Sequence, residues 1–348
     1  MTGVVLTGHG GPENLVWRDD LPVPMVGADD VLVRVNAAGV NNTDINTRLA
    51  WYSKGDAEAS DASWSGIPVT FPRIQGADVC GNIVAVGSGV DPARIGERVL
   101  IEPCLQFANG CALSTPWYFG SECDGGFAQY VALPARNVSE VNSSWTDIEL
   151  ATISCSYSTA ENMLLRARIA EGETVLITGA SGGVGSALIQ LAKLRNCIVI
   201  ALSTAEKADT LKALGADAVI RRGHDEWVDV IKALTGTEKV DLVADVVGGP
   251  VFENVLGVMK RGARYVTAGA IGGKMVSLDI SHLYLRDWDL IGSTVTGLET
   301  FPNVVRYIEE GRLNPLVAAS YPLEKIVEAQ EAFLTKQHVG NIVLEIPK

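Results

Sequence analysis

The segment Ala180-Ser181-Gly182-Gly183-Val184-Gly185 has the residue types and the spacing of a phosphate-binding turn. The β-branched, apolar run Thr174–Ile177 comes shortly before it and predicts a buried parallel strand. From Val184 onward apolar residues recur at helical spacing, which predicts a helix with one face against a sheet. A strand that turns through glycines into a helix directs backbone N–H groups and the positive end of the helix dipole at one point. We therefore predict that this turn binds the pyrophosphate of a dinucleotide.

The residues after the second strand of this pattern indicate which dinucleotide binds. An acidic residue about 20 positions past the glycines usually selects NAD by bonding the ribose hydroxyls. Ser203 lies 18 residues beyond Gly185 (203 − 185), and neither Ser203 nor Thr204 is acidic. Hydroxyl groups and Lys207 suit a 2′-phosphate, and we expect Glu206 to point along the next helix. The sequence predicts NADPH; the alternative is that Lys207 is only a solvated residue at a helix N-terminus.

The elements that position these residues alternate regularly from about residue 149. Strands predicted over 198–202, 218–220, 241–246, 264–268 and 289–292 are separated by helices, which predicts a doubly wound parallel sheet of about six strands. The carboxyl ends of such strands face the ligand. We therefore expect Val247 and Ala270, which follow two of the strands, to lie beside the nicotinamide half of the dinucleotide.

The chain before this point has a different character. Short strand-like runs alternate with turn signals and predict an all-β domain. Two long segments without periodicity, 52–72 and 103–126, are expected to be loops.

Composition limits the function classes. With 348 residues the chain exceeds one typical domain, and its net charge of −13 argues against nucleic acid and anionic membranes as partners. The N-terminal residues do not have the pattern of a signal peptide, and no apolar run reaches membrane-spanning length. Six cysteines in a chain of this length predict free thiols in a reducing cytoplasm.

Several motifs together resemble the medium-chain dehydrogenase/reductase superfamily, and most of all its zinc-free quinone oxidoreductase and enone reductase branch. Besides the glycine turn they are Ala37-Ala38-Gly39-Val40-Asn41-Asn42-Thr43-Asp44, Gly76-Ala77-Asp78-Val79-Cys80-Gly81, Gly96-Glu97-Arg98-Val99, Asp124-Gly125-Gly126-Phe127-Ala128-Gln129-Tyr130-Val131 and Gly292-Ser293. The resemblance implies an α/β protein with a GroES-like β-rich catalytic domain over 1–138 and 304–348. It implies a Rossmann domain over 139–303, with the active site in the cleft between the two.

The resemblance also addresses metal binding. The cysteine and histidine positions of the catalytic zinc site in related alcohol dehydrogenases are occupied by Asn41 and Ala77, and only the last cysteine position is retained, as Cys155. One thiol and a carboxamide do not provide the three strong donors that a catalytic zinc needs. Cys104, Cys111 and Cys123 fall in the segment that holds structural zinc in relatives, without a fourth ligand. We therefore predict no metal.

Catalytic roles are implied for a few polar residues. Asn41 is expected to hydrogen-bond the substrate or the nicotinamide ribose, while Thr43 and Tyr52 are candidate donors to a substrate oxygen. Arg48 also matches a polar position of this branch. The alternative for these residues is local structure: Asn41 and Asp44 would bond the turn, Arg48 would pair with Asp44, and Tyr52 would only cap a loop. Arg222, just after the third strand, matches a 2′-phosphate contact of related reductases.

Three functions remain open at this point. The first is a zinc-independent, NADPH-dependent oxidoreductase acting on a quinone, enone or other hydrophobic carbonyl compound. The second is an alcohol dehydrogenase-like enzyme that binds zinc through Cys155 and Asp78, and the third is an NADPH-binding scaffold or sensor without turnover. The resemblance also implies a homodimer, since the strand at 290–293 lies where relatives extend their sheets across a two-fold axis.

Overall fold

The structure is a computed structural model that describes residues 1–53, 63–221, 223 and 227–348. The chain divides into two compact units: the first comprises Met1–Cys155 with Pro315–Lys348, and the second comprises Ser156–Asn314. The boundaries predicted from the sequence, at 138/139 and 303/304, lie earlier in the chain. Arg222 lies outside the described residues.

The first unit is rich in β-structure up to residue 155. Its strands are β1 (Gly3–Leu6), β2 (Leu15–Arg18), β3 (Asp30–Val40), β4 (Arg73–Ile74), β5 (Asp78–Val86), β6 (Arg98–Ile101), β7 (Cys104–Ala108), β8 (Cys111–Tyr118), β9 (Tyr130–Pro134) and β10 (Val138–Glu140). Its helices are α1 (Asn42–Arg48) and α2 (Asp147–Leu150), and α3 (Ser154–Arg166) begins at its end. The long strand β3 pairs antiparallel with both β5 and β9, so it is central to this unit.

The second unit contains the predicted parallel sheet. Its strands are β11 (Thr174–Ile177), β12 (Ile198–Ser203), β13 (Ala218–Arg221), β14 (Val240–Asp245), β15 (Met259–Thr267) and β16 (Asp289–Gly292). They lie in the order β13-β12-β11-β14-β15-β16 and every pair is parallel. Its further helices are α4 (Gly183–Lys193), α5 (Ala208–Ala213), α6 (Trp227–Thr235), α7 (Phe252–Gly257), α8 (Ile280–Leu285) and α9 (Thr300–Glu309).

The end of the chain returns to the first unit. Strands β17 (Val317–Pro322) and β18 (Asn341–Glu345) flank helix α10 (Ile326–Leu334), and β18 pairs antiparallel with β3. Buried Val, Ile, Leu and Phe side chains of β3, β5, β6, β9, α10 and β18 form one apolar core. The predicted α/β fold, with a GroES-like β-rich part and a Rossmann sheet, is confirmed.

The prediction of a loop over 103–126 is wrong for most of its length. Strands β7 and β8 form a hairpin in which Ala108 pairs with Cys111. Asn109 and Gly110 form its two-residue turn with φ of 51° and 75°. An Asn-Gly pair favours such a turn because both residues tolerate positive φ, so the signal was present in the sequence. The hairpin matters because its last residue, Tyr118, reaches the candidate site.

Within the described residues, no helix combines the length and the apolar character needed to cross a membrane.

Candidate active site

In the second unit, strand β11 and helix α4 form the predicted glycine turn. All four residues of β11 are buried, which fits a central parallel strand. Gly182 caps α4, which begins at Gly183. A Cβ added to Gly185 would lie 2.3 Å from the carbonyl oxygen of Gly179, so only glycine lets the helix pack this close to the turn. The first N–H groups of a helix have no acceptor within it, and here they follow the turn directly.

Three predicted adenosine-side residues lie at the ends of β11 and β12. Lys207 Nζ donates a hydrogen bond to Ser181 Oγ at 3.2 Å, which joins the predicted lysine to the glycine turn. Ser203 ends β12, and its hydroxyl oxygen is buried without a hydrogen-bond partner among the described residues. A buried hydroxyl without a partner is costly, and a bound ribose or phosphate would satisfy it.

Glu206 lies next to Thr204 and Lys207, and its negative charge is unfavourable for a nearby 2′-phosphate of NADPH. Hydrogen bonds from its own backbone N–H and from the Thr204 hydroxyl lower the pKa of its carboxyl group, and Arg221 and Lys207 act in the same direction. The carboxylate is therefore ionised at neutral pH.

The turns after β14 and β15 lie side by side, as expected for residues beside one ligand. The carbonyl oxygen of Val247 accepts a hydrogen bond from Gly272 N–H at 2.7 Å. Gly248 has a φ of 62°, and a Cβ added there would lie 3.5 Å from the Ala270 side chain. The predicted residues Val247 and Ala270 thus belong to two neighbouring turns. With the close approach at Gly185 and the unsatisfied hydroxyl of Ser203, they make a set that fits a dinucleotide.

In the first unit, Asn41 lies between two buried carboxyl groups. Its backbone N–H donates to Asp44 Oδ2 at 2.8 Å across the start of α1, and its side-chain Nδ2 donates to Asp78 Oδ2 at 2.7 Å. The backbone N–H of Cys155 donates to the other oxygen of Asp78. These bonds fix the orientation of the Asn41 carboxamide.

Burial raises the pKa of both carboxyl groups. The pKa of Asp44 rises to about 7 because of burial and the charge of Asp78, while hydrogen bonds from backbone N–H groups partly lower it. The pKa of Asp78 rises to about 6 because of burial, while hydrogen bonds from the Asn41 side chain and the Cys155 backbone partly lower it. Both side chains are almost fully buried.

Thr43 and Tyr52, the two candidate donors to a substrate oxygen, are hydrogen-bonded to each other. The Tyr52 hydroxyl donates to Thr43 Oγ1 at 3.2 Å. Burial raises the pKa of the Tyr52 phenol, so the group keeps its proton at neutral pH. Because the one hydrogen of the Tyr52 hydroxyl is donated to Thr43, the Thr43 hydroxyl can donate its own hydrogen to a substrate oxygen and Tyr52 can resupply it.

Tyr118 is a site residue that the sequence reasoning missed. It extends from β8, and its hydroxyl donates to Cys155 Sγ at 3.1 Å. Tyr118 packs against Ala77 and Cys155, and the centroid of its ring lies 5.0 Å from that of the Trp64 ring. Burial raises the pKa of the Cys155 thiol well above its usual range.

The residues present do not fit the catalytic zinc site of related dehydrogenases. Asn41 and Ala77 stand at two of its donor positions, and both oxygens of Asp78 accept hydrogen bonds, from the Asn41 side chain and the Cys155 backbone. Across residues 1–53, 63–221, 223 and 227–348, no group of three or more His, Cys, Asp or Glu side chains is arranged to hold a metal ion.

Arg48 has partners other than the expected Asp44. Its Nε donates to Gln330 Oε1 at 3.1 Å and its Nη1 to the Gly10 carbonyl at 2.7 Å. Since the guanidinium is buried and joins α1 to α10, its role is structural.

Comparison with known proteins places this geometry in a family. Two family models match: the alcohol dehydrogenase GroES-like domain over residues 27–143 and the zinc-binding dehydrogenase model over residues 183–310. The crystal structure of a candidate alcohol dehydrogenase from Sinorhizobium meliloti is 45% identical, with a TM-score of 0.91, and covers 100% of this chain and 97% of that chain.

Curated relatives match over nearly the whole length. The quinone oxidoreductase of Rattus norvegicus is 29% identical over 99% of this chain and 97% of its own length. The NAD-dependent alcohol dehydrogenase of Sulfolobus acidocaldarius is 28% identical over 99% of this chain and 100% of its own. The similarity therefore extends through both units.

Proposed function

The chain belongs to the medium-chain dehydrogenase/reductase superfamily of oxidoreductases. We propose that it is a zinc-independent, NADPH-dependent enzyme that reduces a quinone, an enone or another carbonyl-type small molecule. The observation that carries this proposal is the bond from Asn41 Nδ2 to Asp78 Oδ2 at 2.7 Å. A carboxamide hydrogen-bonded to this carboxyl stands where a zinc enzyme needs a metal-ligating thiolate.

Without a metal, the electrophilic assistance must come from hydrogen-bond donors. NADPH, when bound, supplies a hydride from C4 of its nicotinamide. Tyr52 or Thr43, together with Asn41, would donate to the oxygen on which negative charge develops. The hydrogen bond between Tyr52 and Thr43 supports a shared role, because one hydroxyl can resupply the proton that the other gives away.

NADPH is favoured by the charges and hydroxyls at the end of β12. Ala180, Ser181, Gly182, Gly183, Val184 and Gly185 would hold the pyrophosphate. Lys207 beside Ser181 and the buried hydroxyl of Ser203 would hold the 2′-phosphate and ribose. Arg222 stays a proposed contact on sequence grounds alone.

NADH is the second candidate, and Glu206 is the observation that favours it. Its ionised carboxylate lies beside Thr204 and would repel a 2′-phosphate, while it could accept bonds from a 2′-hydroxyl. The named NAD-dependent relative is consistent with that alternative. A ratio of kcat/KM for NADPH over NADH decides between the two.

The partner proposals follow from exposed and aromatic residues. Trp51 packs edge-on against Tyr52, with ring centroids 5.4 Å apart, and a flat hydrophobic substrate suits this neighbourhood.

Strand β16 ends the parallel sheet and leaves Leu290 partly exposed, which supports a homodimer formed through this edge. Light scattering tests the dimer. We propose a cytoplasmic location because six cysteines in a chain of 348 residues do not make a disulfide scaffold.

The experiment is a screen of purified protein for NADPH and NADH oxidation against quinones, enones and aldehydes. Turnover with NADPH is expected, and Thr43→Ala and Tyr52→Phe should each lower kcat. Unchanged kcat in both variants contradicts the donor roles. NADPH binding without turnover on any acceptor would favour a scaffold or sensor.

A further inference from the structure

Asp245 is a fully buried acid that none of the roles above uses. It ends β14, and its carboxylate accepts hydrogen bonds from three separate segments of the second unit. The Tyr265 hydroxyl donates at 2.5 Å from β15, and the Thr178 hydroxyl donates from the residue after β11. The backbone N–H groups of Val247 and Gly248 donate at 2.8 Å and 3.1 Å.

The bond from Thr178 connects Asp245 to the glycine turn. Thr178 directly precedes Gly179, and its Oγ1 also accepts a hydrogen bond from Val246 N–H at 3.2 Å. A Cβ added to Gly179 would lie 2.9 Å from the Val246 side chain. The glycine turn and the turn after β14 are therefore in direct contact, with Asp245 beneath both.

The bonds to Val247 and Gly248 fix a turn of unusual backbone shape. Gly248 and Gly249 have successive φ values of 62° and 53°. A Cβ added to Gly249 would lie 2.4 Å from the carbonyl oxygen of Gly272, so this turn also determines where the turn after β15 runs. Val247 and Ala270, the residues proposed beside the nicotinamide, lie in these two turns.

A buried carboxylate held only by neutral donors is expensive, because burial removes water from a charge. Within the described part of the chain Asp245 makes no ion pair with Lys, Arg or His. An apolar residue would end the strand at a lower cost. The arrangement is explained if the carboxylate is needed to hold the three turns in one geometry.

We infer that Asp245 is a positioning residue for the nicotinamide half of the bound dinucleotide, acting through the turn Val246–Gly248 and its contact with the glycine turn. This inference rests on the proposed dinucleotide-binding function. It implies that the carboxylate contributes little to the adenosine end, which Ser181, Ser203 and Lys207 would hold.

The test compares affinities for NADPH and for 2′,5′-ADP, which contains only the adenosine end. In Asp245→Asn the charge is lost and one side-chain oxygen becomes an N–H donor facing other donors. We expect the NADPH dissociation constant to rise about tenfold or more, the loss typical of a charged hydrogen bond, while that of 2′,5′-ADP changes less than about twofold. A purely structural role would weaken both ligands alike.

Asp241→Asn is the matched control. Asp241 lies at the other end of β14, where its carboxylate accepts a bond from Thr174 N–H at 3.0 Å, so the same substitution on the same strand should leave the NADPH/2′,5′-ADP ratio unchanged. If Asp245→Asn does not fold, Thr178→Val keeps the carboxylate and removes both hydrogen bonds of the Thr178 hydroxyl, the one to Asp245 and the one from Val246 N–H. It should shift the ratio in the same direction by a smaller factor.

The outcomes are separable. Equal weakening of both ligands, or no weakening, in the folded variants overturns the inference. Failure of the unsubstituted protein to bind NADPH, NADH or 2′,5′-ADP overturns the proposed function instead.

Discussion

The two candidate sites of this chain are built in different ways. In the second unit the glycine turn depends on backbone shape: residues 180–185 are consecutive, and the contact that excludes larger residues is between Gly185 and the nearby Gly179. In the first unit the site depends on side chains from four separate segments, namely Asn41, Asp78, Tyr118 and Cys155. The backbone site is thus specified locally, while the side-chain site is specified by the tertiary fold.

This difference separates binding from chemistry. Changes in the backbone site should alter dinucleotide affinity, and changes in the side-chain site should alter turnover with little effect on affinity.

The largest expected effect comes from Gly185→Val. Its Cβ would lie 2.3 Å from the Gly179 carbonyl oxygen, so the start of α4 must move away from the turn that would hold the pyrophosphate. We expect the NADPH dissociation constant to rise about 100-fold, which is about 2.8 kcal/mol of binding free energy. Fluorescence titration measures the affinity. Gly257→Ala is the control, since a Cβ there meets no atom within 4 Å. If Gly185→Val binds NADPH as tightly as the unsubstituted protein, the backbone shape of the glycine turn does not determine dinucleotide binding.

Tyr52→Phe should have the next largest effect, now on turnover. Removing one proton donor should lower kcat by roughly one to two orders of magnitude, with the Thr43 hydroxyl still present to limit the loss. The NADPH dissociation constant should stay the same. Thr43→Ala combined with Tyr52→Phe should lower kcat further. If affinity falls as much as kcat in these variants, the proposed separation between the two sites is wrong.

Lys207→Met should change cofactor choice more than overall binding. Because a charged donor beside Ser181 is lost, the dissociation constant for NADPH should rise about tenfold and that for NADH should change little. Lys212→Met, in helix α5 directly after Lys207, is the control. Equal loss for the two dinucleotides would mean that Lys207 only supports the glycine turn.

The smallest expected effect is a change in the pH dependence of stability caused by Asp44. Burial raises its pKa from 3.8 to about 7, so the folded protein binds a proton that the unfolded chain releases. Its favourable share of stability is present below pH 4 and is lost as pH rises towards 7. Between pH 4.5 and 7.5, Asp44→Asn should gain at least about 1 kcal/mol in unfolding free energy relative to the unsubstituted protein. Urea denaturation at the two pH values measures the change, and an unfolding free energy of Asp44→Asn that follows the unsubstituted protein across this range would contradict it.

What could be predicted from the sequence follows the same division. The parallel sheet and the strand, turn and helix around the glycines depend on local patterns, and the structure contains them. The hydrogen bond between Lys207 and Ser181 joins two segments and was not predicted. Tyr118 does not follow from the local pattern around it, because its place depends on the pairing of β7 with β8. The partners of Arg48 were missed because Gln330 lies 282 residues away in sequence, and no local pattern indicates that pairing.

Metal content measured together with turnover tests the central claim most directly. The measurement is zinc per chain in the purified enzyme and the rate of NADPH oxidation, with an acceptor from the screen, before and after treatment with a strong chelator. The account predicts substoichiometric zinc and an unchanged rate, because Asn41 and Ala77 provide no metal-binding donor set and Asp78 accepts hydrogen bonds from Asn41 and Cys155. One zinc per chain, with activity lost on chelation and restored by zinc, would contradict it.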